Sequence, residues 1–573
     1  MKFCFITINL LVVFLFATLD LHAQNNVTVK DDITSDVTWT SDNTYFLDGL
    51  IFVDAGATLT IQAGTVIKGL ESSNITTGDG CAALIVRRGA KIMAVGTAQE
   101  PIIFTSELDD VNVPDDLVDE NGYPDRQLWG GLILLGQAPT NQAETLTQIE
   151  GIPVEEDATY GGNDPDDNSG VLEYVSIRHG GYSISGVQGD EINGLTLGAV
   201  GRGTTIDHIE VFGNFDDCYE WFGGTVNTKY LVGAFCGDDS FDYDQGYRAL
   251  GQFWFALQPS DETGRGGEHD GCDPQNGICD DSTFSQVIVS NATYIGAGSD
   301  ATNIGGDGND LTLMMRENAG SVYYNSIFTQ YADQFARITS GDSDPDAVDR
   351  FNAGDLRIMN NLLWDFGAGN TWDALISTDA SVAPAVIAAF SGDNSIADPM
   401  LAGVTRQGGT HELDPRPNPG SPALTGANFS LEGLGKSDSD FFTQVQYKGA
   451  FGAENWAKGW TALDALGYFG DKASVDVEED HPSELPSAIS LNQNYPNPFN
   501  PATTISFSLA RQATVRLSIY DMLGRELAVL LDEQEPAGDH SVHFDASNLP
   551  SGVYIYRLQA AGKALTNKML LLK

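Results

Sequence analysis

Apolar and polar positions repeat in two lines between residues 206 and 246. The first line reads Asp216-Asp217-Cys218-Tyr219-Glu220-Trp221-Phe222-Gly223-Gly224. The second reads Asp238-Asp239-Ser240-Phe241-Asp242-Tyr243-Asp244-Gln245-Gly246. Acid falls on acid, aromatic on aromatic and glycine on glycine at a constant offset of 22 residues. An apolar run precedes each line, at 206–212 and 230–235. A two-residue period puts Asp217, Tyr219 and Trp221 on one face, over Asp239, Phe241 and Tyr243. Asp216, Cys218 and Glu220 then share the other face, over Asp238, Ser240 and Asp242. Short strand-like runs separated by glycine turns at a fixed period predict stacked coils of a right-handed parallel β-helix, about 22 residues per coil.

The same pattern extends in both directions. Residues 50–59 line up with 83–92 when Gly56 is set on Gly89, an offset of 33 that holds one coil plus an insertion at 71–80. Further strand-like runs lie at 102–105, 129–136, 174–178, 195–197, 253–257, 287–289, 322–328 and 356–364, with Asn and Gly clustered between them. Polar excursions interrupt them at 107–127 and 141–169. A proline-rich stretch at 414–423 is expected to close the solenoid, and 424–470 is less regular. Residues 471–486 are acidic and contain Pro482 and Pro486, a linker composition. From 487 to 573 the strands become short and alternating, with turns at Gly524, Gly538 and Gly552, which predicts a small β-sandwich. The expected organisation is all-β: a parallel β-helix with loop insertions over 24–470, a linker, and a sandwich domain over 487–573.

Residues 1–23 read as a signal peptide: Lys2, an apolar stretch over 3–17, and Leu21-His22-Ala23 before Gln24. Cys4 precedes the apolar run, so it is not a lipoprotein cysteine. No later run is long enough to span a membrane, so an exported, soluble mature chain is expected. Eighty acids against 29 bases give a net charge of −51. That field repels nucleic acid and anionic lipid and attracts divalent cations. Solvated acidic turns that keep the chain soluble account for the same charge. Export permits disulfides. Cys272 with Cys279 would close a short loop, Cys218 with Cys236 could tie neighbouring coils, and Cys81 is left over.

The chemistry suggested by the residues is that of oxygen ligands. Nucleophile-elbow, HExxH and phosphate-loop motifs are absent. Asp164-Asp166-Asn168 and Asp342-Asp344-Asp346 place oxygens at alternate positions, as calcium loops begin, but lack the Gly and Glu of an EF-hand. Glu268-His269-Asp270 with Asp273 forms a similar cluster. In the repeated lines, coils about 4.8 Å apart would set Asp216 near Asp238, and Glu220 near Asp242 and Asp244. Opposed like charges on a sheet are unfavourable. The acids can splay into water, bind protons, or share a cation, calcium by donor type. Arg248 is the guanidinium expected nearby, and the loops over 260–281 are expected to cover the acids. His179 and His208 sit in strand-like runs and read as structural.

The C-terminal domain carries Asn494-Tyr495-Pro496-Asn497-Pro498-Phe499-Asn500-Pro501, Tyr520-Asp521-Met522-Leu523-Gly524-Arg525, Ala537-Gly538-Asp539-His540, Ser551-Gly552-Val553-Tyr554-Ile555-Tyr556-Arg557-Leu558 and the terminal Lys568-Met569-Leu570-Leu571-Leu572-Lys573. It closely resembles the type A sorting domain of the type IX secretion system. The resemblance implies engagement of that machinery by 487–573, passage across a Gram-negative outer membrane, removal of the domain, and release or attachment to surface lipopolysaccharide. Residues 27–465 resemble a recurrent cargo region of uncharacterised β-helix surface proteins, on Gly64-Thr65-Val66-Ile67-Lys68-Gly69, Trp129-Gly130-Gly131, residues 191–198 and 201–205, and Glu220-Trp221-Phe222-Gly223-Gly224. That resemblance implies architecture without an activity. Two classes of function follow. One is a binding or structural surface protein, an adhesin or glycan binder. The other is a calcium-dependent polysaccharide lyase or a glycoside hydrolase, with Arg202, Arg248 or Arg265 as candidate base for the lyase and a carboxylate pair for the hydrolase.

Overall fold

The computed structural model describes residues 25–113, 116–119, 122–184, 191–302, 304–305, 311–430, 441–470, 490–491, 494, 499, 501–509, 513–520, 525–535, 538–546, 549–560 and 563–571. The signal segment 1–23, the linker 471–486 and several sorting-domain positions, among them 495–498, 500 and 521–524, lie outside the described residues. The chain divides into two compact units, 1–471 and 472–573.

The first unit is a parallel β-helix with three ladders. One runs from Leu50–Val53 through Ala83–Val86, Leu132–Leu135, Leu195–Gly198, Tyr219–Phe222, Phe241–Asp244, Gly267–Asp270, Leu311–Arg316 and Gln334–Ile338 to Ile376–Ser377. The other two are joined where single long strands cross both faces: Gly170–Arg178, Thr205–Phe212, Thr228–Ala234 and Arg248–Leu257. Each long strand bends at one residue in the left-handed region: Tyr174, His208, Tyr230 and Phe253, with φ of 51°, 54°, 55° and 59°. Bulky residues seldom adopt that conformation. Here their rings stack outside the bend, at 4.3, 4.2 and 4.9 Å between successive centroids, which offsets the backbone cost. In the next coils the strands separate and the same corner is taken by Asn291, Asn325 and Asn360, residues that tolerate left-handed φ.

Tyr219 lies opposite Phe241, and Trp221 opposite Tyr243, so the 22-residue offset is one coil. The rings of Tyr219 and Phe241 stack at 5.4 Å and 12°. Trp221 stacks on Trp254 at 5.5 Å and 4°, and Tyr243 on His269 at 4.2 Å. All of these rings are buried and fill the solenoid. The 33-residue offset is likewise one coil with its insertion, pairing Leu50 with Ala83.

Parallel stacking ends at Ser395–Ile396, before the closure expected at 414–423. The helix Ala383–Asp393 ends that stack by burying Val386 and Phe390 in the solenoid core. Asp414–Pro417 instead pairs antiparallel with Leu401–Gly403; Pro415 and Pro417 lack the N–H that a continuous ladder needs. The chain then returns along the outside of the solenoid. Phe451, Trp460, Leu463 and Tyr468 pack on Phe212, Phe235, Phe253 and Phe255. Glu210, buried on a long strand, accepts from the N–H groups of Ala462 and Leu463 at 2.6 and 3.2 Å.

The second unit holds a three-stranded antiparallel sheet (Ser490–Leu491, Ala502–Leu509, Gly538–Asp545) and a four-stranded one (Glu526–Glu535, Ala513–Tyr520, Gly552–Ala560, Lys563–Leu571). Ile505, Phe507, Leu517, Tyr556 and Leu558 share one core.

Candidate metal centre

The site is built on the outward positions of the first ladder. Strand alternation turns Tyr219, Trp221, Phe241 and Tyr243 inward and leaves Glu220, Phe222, Asp242 and Asp244 outward. Thr196, Glu220, Asp242 and Glu268 follow one another in register across four coils. At the corner before these strands, Asp217 Oδ1 accepts from Asp239 N at 2.8 Å. Asp239 in turn accepts from the backbone and guanidinium of Arg265. Three triplets of carboxylates bring ligand oxygens within 4.8 Å of one another: Asp216, Asp217 and Asp238; Asp217, Glu220 and Asp242; Asp239, Asp242 and Glu268. A cation about 2.4 Å from each oxygen fits such a triplet. Asp242 belongs to two of them, and its Oδ1 is buried without a hydrogen-bond partner.

The 141–160 excursion reaches over part of the ladder. Asn193 Nδ2 donates to Glu150 Oε1 at 3.0 Å and also to Glu220, which ties the 141–160 excursion over the ladder. Tyr160 donates to Gln245 Oε1 at 2.6 Å with its ring beside Phe222. Asn141 Nδ2 donates to the Gly271 and Thr283 carbonyls. Glu220 is 8% exposed and Asp239 1%, while Asp216, Asp238, Asp242 and Asp244 are half-buried. Loss of water, and then repulsion from neighbouring carboxylates, pushes Asp216 up to about 8 and Glu268 up to about 9. Asp239 rises to about 6, restrained by Arg265. Asp217, Glu220, Asp242 and Asp244 are raised well above the ordinary carboxylate range for the same two reasons.

Two guanidiniums balance part of this charge. Arg265 Nη1 lies 2.6 Å from Glu268 and 3.3 Å from Asp239. Arg316 Nη1 lies 2.9 Å from Glu268, while its Nε and Nη2 reach the two Asp270 oxygens at 2.7 and 2.8 Å. These carboxylates raise both arginines above their ordinary value against the opposing effect of burial.

Residues 31–385 match the pectate-lyase-like β-helix domain. The chain belongs to this family. Residues 493–572 match the secretion-system C-terminal sorting domain, which implies interaction with the type IX machinery and directs the protein to the cell surface or the extracellular space. One solved structure similar to the chain is the enzymatically active domain of tailspike protein 2 of bacteriophage CBA120, with 10% identity, 94% of this chain and 72% of that chain covered, and a TM-score of 0.26. No curated protein matches. Among the described residues no helix is long and apolar enough to cross a membrane.

In this pectate-lyase-like β-helix protein the remaining expected residues fall in other places. Asp166 pairs with Arg202 at 2.6 Å, Asp164 accepts from Asp166 N, and Asn168 accepts from Gly170 N, so that turn closes on itself. Asp346 caps the helix Ala347–Ala353, Asp342 accepts from Thr339, and Asp344 lies in the bend between them. Glu268 and Asp270 join the ladder, but His269 points into the core, where Tyr323 and Ser321 meet its two ring nitrogens. Burial pushes His269 down to about 3. Asp273 caps its own turn through Gln275 N and Asn276 N. Residues 267–270 are the next coil of the ladder, and the cover comes from 141–160 instead of from 260–281 alone. Arg248 lies away from the acids, over the ring of Phe284; Arg265 and Arg316 take the place expected of it. Cys218 bonds Cys236, Cys272 bonds Cys279, and Cys81 is free and buried.

Strand parity assigned Asp217 and Asp239 to the inner face. They precede their strands at a corner, where two-residue alternation no longer holds, and their oxygens turn to the acids. Glu150, Asn193 and Arg316 carry no sequence signal, because they come from other coils or from the cover.

Proposed function

We propose that the protein is an exported β-helix that works at the cell surface as a binding or structural protein, an adhesin or glycan binder, and that its acidic ladder holds a divalent cation, calcium by its all-oxygen donors. The observation that carries the cation is the register Glu220–Asp242–Glu268, with a buried Asp242 oxygen that no donor meets. Asp217, Glu220 and Asp242 supply the ligands. The ion would remove the repulsion between them and pin the 141–160 cover through Glu150. Its role is structural, a bridge between carboxylates of neighbouring coils.

The alternative is a calcium-dependent lyase or a hydrolase. A lyase needs a neutral base beside the metal, and a hydrolase needs two carboxylates open to substrate. Arg265 and Arg316 are each locked against two carboxylates, which keeps them protonated. Glu220 and Glu268 are buried. The locked arginines favour binding. The test is to pass full-length protein over immobilised acidic and neutral polysaccharides in calcium and in chelator, measuring retention and newly formed chain ends. Retention without new ends is expected. New ends released only in calcium would replace this reading with the lyase.

A further inference from the structure

Residues 141–143 lie at one end of the acidic ladder, and a disulfide-closed turn holds them there. Asn141 N donates to the Gln245 carbonyl at 2.8 Å, next to Asp244. Gln142 pairs antiparallel with Gly277. Ala143 N donates to the Asn276 carbonyl at 3.0 Å, and Ile278 N to the Asn141 carbonyl at 2.7 Å. Cys272 and Cys279 close the turn that carries Asn276, Gly277 and Ile278. Asn141 Nδ2 donates to the Gly271 and Thr283 carbonyls at 2.8 and 3.1 Å, so one side chain spans both stems of that turn. The register of Asp242 with Glu268 and Tyr243 with His269 sets Asp244 beside Asp270, and the turn begins two residues later. Burial, and then repulsion from Asp270, Glu317 and Asp273 of the turn, pushes Asp244 up.

The 141–160 excursion is fastened unevenly. Ile149, Ile152, Ala158 and Tyr160 are buried with Leu135, Ile192 and Phe222 in one apolar cluster. Residues 143–146 are exposed. This limb is held where it meets the turn, by backbone hydrogen bonds with little apolar burial, and such segments are the first of a fold to open. The stems of the turn have ties of their own. Ser285 N donates to the Gly271 carbonyl at 3.0 Å, and Asp280 Oδ1 accepts from Ser282 N and Thr283 N at 2.7 and 2.9 Å. Opening the bridge therefore frees the turn and leaves the coil in place. The two disulfides also differ in access. Cys218 and Cys236 are 0% and 3% exposed, whereas Cys279 is half-buried in a turn whose Pro274, Gln275, Asn276 and Ile278 are exposed.

We propose that Cys272–Cys279 is a thiol-sensitive latch, whose reduction by a dithiol releases residues 141–146 and opens the Asp244–Asp270 end of the acidic ladder to solvent. A thiolate of the reductant attacks Cys279 Sγ, and Cys272 leaves as a thiolate that takes a proton. The reductant's second thiol then displaces Cys279, which is protonated in turn. Two electrons pass to the bridge, and the reductant ends as a disulfide. The latch acts whether or not a cation occupies the ladder.

Full-length protein treated with dithiothreitol under native conditions, then alkylated and mapped by mass spectrometry, tests it. Label should appear on Cys272 and Cys279, with Cys218–Cys236 intact and Cys81 unlabelled, since burial pushes the Cys81 thiol up to about 12. Amide hydrogen exchange at Ala143 and Ile278 should then quicken about tenfold or more, while residues 219–222 and 241–244 keep their protection. C272S/C279S should show the same fast exchange without reductant and no response to it. From calcium-loaded protein, chelator should draw the ion about tenfold faster after reduction. Label absent from Cys272 and Cys279 or spread equally over both bridges, or exchange at 141–146 unchanged once the bridge is open, overturns the latch. Fast exchange with an unchanged rate of calcium loss overturns the opening of the ladder. Protein that binds no calcium in either state overturns the cation reading alone, and fast exchange after reduction then still supports the latch.

Discussion

Asp242→Asn should stabilise the protein in chelator and lose that advantage in calcium. Oxygens of Asp217, Glu220, Asp239 and Glu268 lie within 4.8 Å of those of Asp242 in the two triplets that share it. At an effective dielectric near 20, one ionised pair at that separation repels by about 3.5 kcal/mol. The cluster holds off full ionisation by keeping protons, so the substitution relieves about one such pair, roughly 3 kcal/mol, at pH 8 in chelator. The new amide can also donate to a neighbouring carboxylate. In calcium the advantage cancels. A cation at about a hundred times its dissociation constant stabilises the parent by about 2.7 kcal/mol, and the variant, missing the shared ligand, loses that gain. The unit ending at Asp471 unfolds with an entropy of about 1 kcal/mol/K. Calcium should then raise the parent midpoint by about 3 °C and the variant by close to zero, while the variant in chelator should exceed the parent by a similar amount. Scanning calorimetry of the full-length proteins at pH 8 measures all four midpoints. A variant destabilised equally in calcium and in chelator would refute the reasoning and leave Asp242 as an ordinary packing residue.

Three further outcomes are expected. In chelator, stability should fall as pH rises from about 5 to about 9: Asp239, Asp216 and Glu268 sit at about 6, 8 and 9 in the folded state, above their unfolded values, so the folded chain holds more protons and loses that advantage as they leave. Midpoints against pH, flattened by calcium, measure this. Replacing Cys218 and Cys236 together by Ser opens a bridge across 18 residues and should cost about 3 kcal/mol in denaturant unfolding, whereas opening Cys272–Cys279, across 7 residues, should cost less. Glu210→Gln weakens the anchor of Ala462 and Leu463 by about 2 kcal/mol and should speed hydrogen exchange over residues 456–469 without disturbing the aromatic core.

The repeat of residues 216–246 determined the solenoid. Two lines of alternating residues can bury Tyr219, Trp221, Phe241 and Tyr243 together only by stacking in register, so period and parity are sufficient. The same logic placed Glu220 against Asp242 before any coordinates. The cysteine spacings suggested pairings that the fold adopts, and the terminal motifs identified the sorting domain. Other features depend on where separate coils end up. The sequence could not show that residues 141–160 fold back over the acids, because loop placement is decided by contacts such as Tyr160 with Gln245, which lie 85 residues apart. It could not show that Arg265 and Arg316 approach the ladder while Arg248 leaves it, since the corner of each coil resets which way a side chain points. Nor could it foresee that His269 faces Tyr323 in the core. Strand alternation is a local property and is written in the chain. Burial, charge balance and the return of residues 441–470 onto Phe212 and Phe253 arise only when distant coils meet, and these decide which acids are buried and which face one another.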